Sequence, residues 1–175
     1  MLVNIEKIPF GGGCHWCTEA VFQSLKGVIE VEQGFVSSDG ENESFSEAVI
    51  VHFDIEKIIL KTLVEIHLLT HKSTSEHAMR KKYRSAIYYF DRNQKKEVVK
   101  ILDDLQARID SKIITKILAY KSFKSSDERF LNYYFNNPSK PFCETYINPK
   151  LQVLMQHYGK YVDAQRLKIP NYESH

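Results

Sequence analysis

Phe10-Gly11-Gly12-Gly13-Cys14-His15-Trp16-Cys17 decides how the rest of this 175-residue chain is read. An apolar, strand-like run from Leu2 to Phe10 leads into it. A helical pattern from Thr18 to Leu25 leads out, with Val21 and Leu25 four apart and Phe22 beside them. Three glycines let the backbone turn sharply, take positive φ without steric cost and admit a close neighbour. Cys14 is therefore expected at a helix N-terminus, where unpaired N–H groups and the helix dipole stabilise an anion. That placement lowers a thiol pKa and favours the thiolate, the reactive form.

Working outward, Val28 to Val36 reads as a strand, with Ile29, Val31 and Phe35 on one side and Glu30 and Glu32 on the other. Ser37 to Ser44 is polar and reads as a surface loop. Ala48 to Phe53 is β-branched and apolar, a buried strand. Asp54 is placed to cap a helix whose apolar face carries Ile58, Ile59, Leu63, Ile66 and Leu69 or their neighbours. His71 to Lys82 has no clear periodicity. Ser85 to Phe90 reads as a strand, and Asp91 opens a long helix with Val98, Leu102, Leu105 and Ile109 on one stripe. Ile113 to Tyr120 is a further strand, and Asp127 to Phe135 a short helix ended by Asn136-Asn137-Pro138. A flexible, Pro-rich connection carries Cys143, and Pro149 suits the first position of a last helix. Strands and helices alternate irregularly, which predicts an α+β fold with a mixed sheet covered on one side by helices. One domain is expected over residues 1–162, with a loose polar tail over 163–175.

Composition narrows the function. The chain is 43% hydrophobic and 26% charged with a net charge of +2, which gives no warrant for nucleic acid or a membrane as partner. Arg80-Lys81-Lys82 with Arg84 is the one local basic run and reads as a solvated face. No stretch is apolar for long enough to span a bilayer, and Met1 to Lys7 lacks the pattern of a signal peptide. Three cysteines do not make a disulfide scaffold, so a reducing, cytoplasmic setting is expected.

Cys14 is the candidate nucleophile, able to pass through a sulfenic acid that a second thiol, Cys17 or Cys143, closes to a disulfide. A metal site is not expected: no second Cys-x-x-Cys or close histidine pair follows, and His15 cannot easily share a tetrahedral site with both neighbouring cysteines. Cys-His-Trp-Cys between a strand and a helix also matches a thioredoxin-like redox motif, in which His15 would stabilise the thiolate. Glu47, at the rim of a buried strand, is a candidate general acid with a raised pKa. By themselves Tyr83 and Phe35 read as core or rim aromatics.

The chain resembles the A-type peptide methionine sulfoxide reductases. The stretch from Phe10 to Phe22 is similar to that family's Phe-Gly-Gly-Gly-Cys-Phe-Trp-Cys signature and the Glu-Ala helix after it. The likeness continues through Leu25-Lys26-Gly27-Val28, Ser46-Glu47-Ala48-Val49, Tyr83 to Tyr89, Tyr133 to Pro138, Pro141-Phe142-Cys143 and Ile147 to Leu151, so it covers nearly the whole chain in order. The resemblance implies an α+β two-layer sandwich with a mixed sheet, here expected to have a ferredoxin-like plait at its core. It implies that Cys14 attacks the sulfur of methionine-S-sulfoxide, free or in proteins, that Glu47 protonates the leaving oxygen and that Tyr83 hydrogen-bonds it. Trp16 would wall the substrate methyl, with His15 and Phe35 beside it. Cys143 or Cys17 would resolve the sulfenic acid. Thioredoxin, or dithiothreitol in its place, would reduce the disulfide with no cofactor, in a monomer.

This sequence departs from the family pattern at several places. His15 stands where the family has phenylalanine, and Phe35 where it has tyrosine. The loop between Phe35 and Glu47 is shorter. Met79 to Ser85 truncates the family's Asn-Asp-x-Gly-x-Gln-Tyr-Arg-Ser segment and has no counterpart to its aspartate, and Arg129-Phe130 replaces a Tyr-His pair. Loss of one donor to a developing oxyanion typically costs about 2.7–4 kcal/mol of transition-state stabilisation. Two other readings of the same residues stay open: thiol–disulfide exchange through Cys14 and Cys17, and a binding protein that kept the pocket without the turnover.

Overall fold

The computed structural model describes residues 4–74 and 82–167. Its centre is a βαββαβ unit: β1 (Ile5–Gly11), α1 (His15–Gln23), β2 (Val28–Ser37), β3 (Ser46–Asp54), α2 (Leu60–Thr70) and β4 (Ala86–Tyr89). α3 (Arg92–Gln106), β5 (Lys116–Ala119), β6 (Ser122–Ser125), α4 (Tyr133–Asn136) and α5 (Asn148–Tyr158) follow. The strands form one sheet in the order β5-β4-β1-β3-β2-β6. The four inner strands run antiparallel to one another, the arrangement of a ferredoxin-like plait. Parallel β5 on one edge and antiparallel β6 on the other make the sheet mixed. The expected α+β architecture is the one observed. Among the described residues no helix is long and apolar enough to cross a membrane.

β3 lies in the middle of the sheet, and its alternation explains what each face carries. Val49, Val51 and Phe53 point into the main core, with Phe22 of α1, Leu63 of α2, Val98 of α3 and Leu151 of α5. Ala48 points the other way, into a smaller cluster with Val36, Ala86 and Tyr88. The guanidinium of buried Arg84 covers that cluster, donating to the Tyr88 hydroxyl at 3.1 Å and to the carbonyls of Val36 and Ser44 at 3.2 and 3.1 Å. The period of two therefore puts Glu47 on the helix-covered face, the same side as α1.

Several local expectations needed correction. A register shift between Val28 and Glu30 turns Ile29 out to 52% exposure, so it does not share a face with Val31 and Phe35. Asp54 does not cap α2: its carboxylate accepts from the Glu56 N–H at 3.0 Å within a turn, and Ile59 sits at the cap. Ile59 and Leu69 face out of α2, where Leu60, Val64 and His67 are buried instead. Ile109 lies beyond the end of α3, exposed. The helix expected over Asp127 to Phe135 is two short pieces, a 3-10 turn at Glu128–Phe130 and α4, broken by Asn132 in the left-handed region at φ 55°. The segment around Cys143 is not open chain: Cys143–Ile147 is a single π-helical turn leading into α5, with the Cys143 side chain fully buried. The tail does not loosen at Asp163, whose N–H donates to the Ser24 carbonyl at 2.8 Å, and Leu167 is buried. Residues 168–175, and Arg80-Lys81 of the basic run, lie outside the described residues.

Candidate active site

The glycine run positions Cys14 by close approach more than by unusual torsions. A Cβ on Gly11 would lie 2.9 Å from the Arg84 carbonyl, and one on Gly12 2.5 Å from the His71 ring, whereas one on Gly13 would meet nothing within 4 Å. His67, on α2, donates to the Gly11 carbonyl at 2.8 Å, and His71 bonds the Ser85 hydroxyl at 2.8 Å. The strand end is thus clamped while the backbone just before Cys14 stays open. Cys14 is the N-cap of α1, and its carbonyl accepts from the N–H groups of Cys17 and Thr18 at 3.1 and 3.2 Å.

This setting ionises the Cys14 sulfur. A hydrogen bond from the Cys17 thiol, the backbone N–H groups of Trp16 and Cys17 and the charge of Lys150 outweigh burial and lower its pKa to about 7. Cys17, buried and donating that bond, is held protonated far above the usual thiol range. Lys150, on the first turn of α5, donates to the Thr70 carbonyl, and its burial works against its charge. Cys143 lies close to Cys17, donates to the Asn137 carbonyl at 3.5 Å and is pushed up chiefly by burial. All three thiols are free, and among the described residues no cluster of three metal-ligating side chains exists.

Glu47 is 8% exposed. Burial, and then the charge of Cys14, push its pKa up to about 7 against the pull of Lys82. Its Oε1 lies 3.1 Å from His15 Nε2, while Oε2 is buried without a hydrogen-bond partner among the described residues. The Lys82–Arg84 segment is tied to the start of β3: the Glu47 N–H and the Ser46 hydroxyl donate to the Lys82 carbonyl at 3.0 and 2.9 Å, and the Arg84 N–H donates to Ser46 at 2.8 Å. Tyr83 lies between these two anchored residues, with the Lys82 ammonium 5.1 Å from its ring centre.

Trp16 lies in an aromatic wall. It stacks on Tyr133 at 4.0 Å and 7°, meets Phe142 edge-on at 5.2 Å and tilts against Phe130 at 5.5 Å. Buried Glu19 holds this wall in place, accepting from the N–H groups of Asn132 and Tyr133 at 3.1 Å each. The wall, the low-pKa sulfur and the raised-pKa carboxyl all lie at the start of α1.

Residues 6–162 match the family model for peptide methionine sulfoxide reductase. The chain belongs to that family. A peptide methionine sulfoxide reductase MsrA of Trichodesmium erythraeum is 33% identical over 177 residues, covering 91% of this chain and 99% of the relative. The MsrA of Deinococcus radiodurans is 32% identical over 170 residues, covering 88% and 82%. Among solved structures, reduced Mxr1 from Saccharomyces cerevisiae shares the fold at a TM-score of 0.70 and 22% identity, covering 81% of this chain and 91% of that one. For a peptide methionine sulfoxide reductase the wall around Trp16 is built from more of the chain than its signature motif suggests. Glu19, Tyr133 and Lys150 all fall within family-like stretches, yet nothing in their spacing singles them out. A buried charge is visible only once its surroundings are known. The visible signals were faint: Glu19 follows His15 by one helical turn, and Lys150 follows a helix-starting proline.

Proposed function

We propose that this chain reduces methionine-S-sulfoxide, free or in peptides, with Cys14 as nucleophile and Glu47 as acid. The observation that carries the reading is the pair of opposed pKa shifts, Cys14 down to about 7 and Glu47 up to about 7, the second raised by burial and then by the charge of Cys14. A thiolate and a carboxylic acid can then coexist at neutral pH, as nucleophilic attack with proton donation requires. The Cys14 thiolate attacks the sulfoxide sulfur, and Glu47 gives its proton to the sulfoxide oxygen. The oxygen ends on Cys14 as a sulfenic acid and methionine leaves. Cys14 sulfur is oxidised by two electrons and the substrate sulfur is reduced by two. Tyr83 hydrogen-bonds the oxygen, and Trp16, with His15 and Phe35, walls the methyl group.

Cys17 already donates its hydrogen bond to Cys14, which favours it as the first resolving thiol. Its attack on the sulfenic acid releases water and forms a disulfide. Cys143, at the back of Cys17, is the second candidate. Thioredoxin, or dithiothreitol in its place, reduces the disulfide, so the cycle needs no metal or organic cofactor. A solved complex of Saccharomyces cerevisiae Mxr1 with Trx2 shares this fold at a TM-score of 0.59 and 22% identity. A reducing, cytoplasmic setting and a monomer suit the three free thiols. Turnover of methionine-S-sulfoxide with dithiothreitol tests the reading. Native protein is active and Cys14→Ser is not, and equal rates would end it. Mass spectrometry after one turnover identifies the cysteine joined to Cys14.

Thiol–disulfide exchange through Cys14 and Cys17 is a second reading, favoured by the same Cys17 hydrogen bond. It predicts that Cys143→Ser still forms a Cys14–Cys17 disulfide in a redox titration and that Glu47→Gln exchanges thiols as fast as the native protein.

A further inference from the structure

Phe35 and Glu47 are opposed across the β2–β3 ladder, and His15 lies over both. Its ring meets Phe35 edge-on at 5.1 Å, its Nε2 is 3.1 Å from Glu47 Oε1, and its Nδ1 is 2.8 Å from the Gly34 carbonyl. The imidazole is 5% exposed. A carbonyl oxygen can only accept, so Nδ1 carries a hydrogen. Burial, aided by Lys82 and opposed by the Gly34 bond, holds the imidazole below its ordinary pKa. His15 is therefore neutral near pH 7, and Nε2 presents a lone pair. Glu47, raised in the opposite sense by burial and the charge of Cys14, keeps its proton close to neutrality, and its Oε1 lies 3.1 Å from that lone pair. Other charged groups facing the pair are Cys14 at the start of α1 and Lys82 before β4, and β2 contributes Gly34 and Phe35.

The family resemblance has phenylalanine at 15 and tyrosine at 35. In this chain the polar group has moved to the other partner of the same aromatic contact. We infer that His15 is a positioning residue for Glu47, replacing the hydroxyl that Phe35 lacks: its Nε2 lone pair faces Oε1 and holds the protonated carboxyl in place until the sulfoxide oxygen takes its proton. The Glu47 proton goes to the sulfoxide oxygen; solvent takes the proton that Cys14 loses on ionising and returns one to the Glu47 carboxylate. Once the imidazole is protonated, Nε2 carries a hydrogen and the lone pair that faces the acid is lost. The inference rests on the reductase reading above.

The test compares native protein, Cys14→Ser, His15→Phe, His15→Gln and His15→Phe/Phe35→Tyr in turnover of methionine-S-sulfoxide, with circular dichroism as a check of folding. His15→Phe should lower kcat at least tenfold with KM changed less than threefold, and adding Phe35→Tyr should recover most of the loss. The native kcat–pH profile should carry an acid-side break below 6.5, the ordinary imidazole value, that both His15→Phe and His15→Gln lack. His15→Gln keeps a side-chain amide at the same reach without a titrating group, so it separates the titrating lone pair from packing even if His15→Phe misfolds. An unchanged kcat and pH profile in folded His15→Gln, or no recovery in the double variant, overturns the inference. If Cys14→Ser is as active as the native protein, it is the reductase reading that fails. An inactive Cys14→Ser beside a native-like His15→Gln refutes the role of His15 alone.

Discussion

The Cys17 thiol donates to the Cys14 sulfur one helical turn before it, and this bond does more to lower the Cys14 pKa than the charge of Lys150. Alkylation of Cys14 by iodoacetamide should show a midpoint near pH 7 in the native protein. Cys17→Ala should move the midpoint up further than Lys150→Met does, and Cys17→Ser, which keeps a donor, should move it less than Cys17→Ala. A larger shift for Lys150→Met would show that charge, not the hydrogen bond, dominates.

Glu47 should make stability depend on pH. Its folded pKa lies above its usual 4.5, so its contribution is fully present below about pH 4.5 and is lost as pH rises through about 7. Above pH 7 the fold holds a buried carboxylate. Glu47→Gln should then be more stable than the native protein by up to about 3 kcal/mol, with the difference shrinking toward pH 5. Urea unfolding at pH 5, 7 and 8.5 measures it. The same variant should lose about a hundredfold or more in sulfoxide turnover, because the proton donor is gone.

Tyr133 should act through Trp16. Their stack at 4.0 Å is one face of the aromatic wall, and such pairs contribute about 0.5–1.5 kcal/mol beyond area burial. Tyr133→Leu should lower kcat/KM for methionine sulfoxide by about tenfold while leaving the Cys14 alkylation midpoint unchanged. A shift in that midpoint would mean the helix start itself had moved.

Neighbouring glycines should tolerate substitution unequally. A Cβ on Gly12 would press on the His71 ring at 2.5 Å, and one on Gly13 would meet nothing within 4 Å. Gly12→Ala should cost about 1–3 kcal/mol, a fall in Tm of about 2–4 °C for each kcal/mol in a chain of this size, and Gly13→Ala less than a third of that. Thermal unfolding of the two variants decides it.

What lay in the sequence alone was whatever depends on neighbours along the chain. The strand–glycine–cysteine–helix order put Cys14 at a helix start. Asp91 caps α3, its carboxylate accepting from the Gln94 N–H at 2.8 Å, and Pro149 stands in the first turn of α5. Alternation within β3 already implied that Glu47 shares a face with Val49 and Val51. Tertiary structure decided the rest, for reasons no local pattern carries. β6 is four residues, mostly polar, and is a strand because Gly34 of β2 lets its backbone approach, where a Cβ would sit 2.2 Å from the Lys124 carbonyl. Asp54 could have capped a helix, but the turn before α2 used its carboxylate first. Cys143, on a Pro-rich stretch, is buried because a π-helical turn docks it behind α1. The contact between His15 and Glu47 depends on β3 threading between β1 and β2 under the first turn of α1. Side-chain identity set what each group could do, and the sheet order set which groups met.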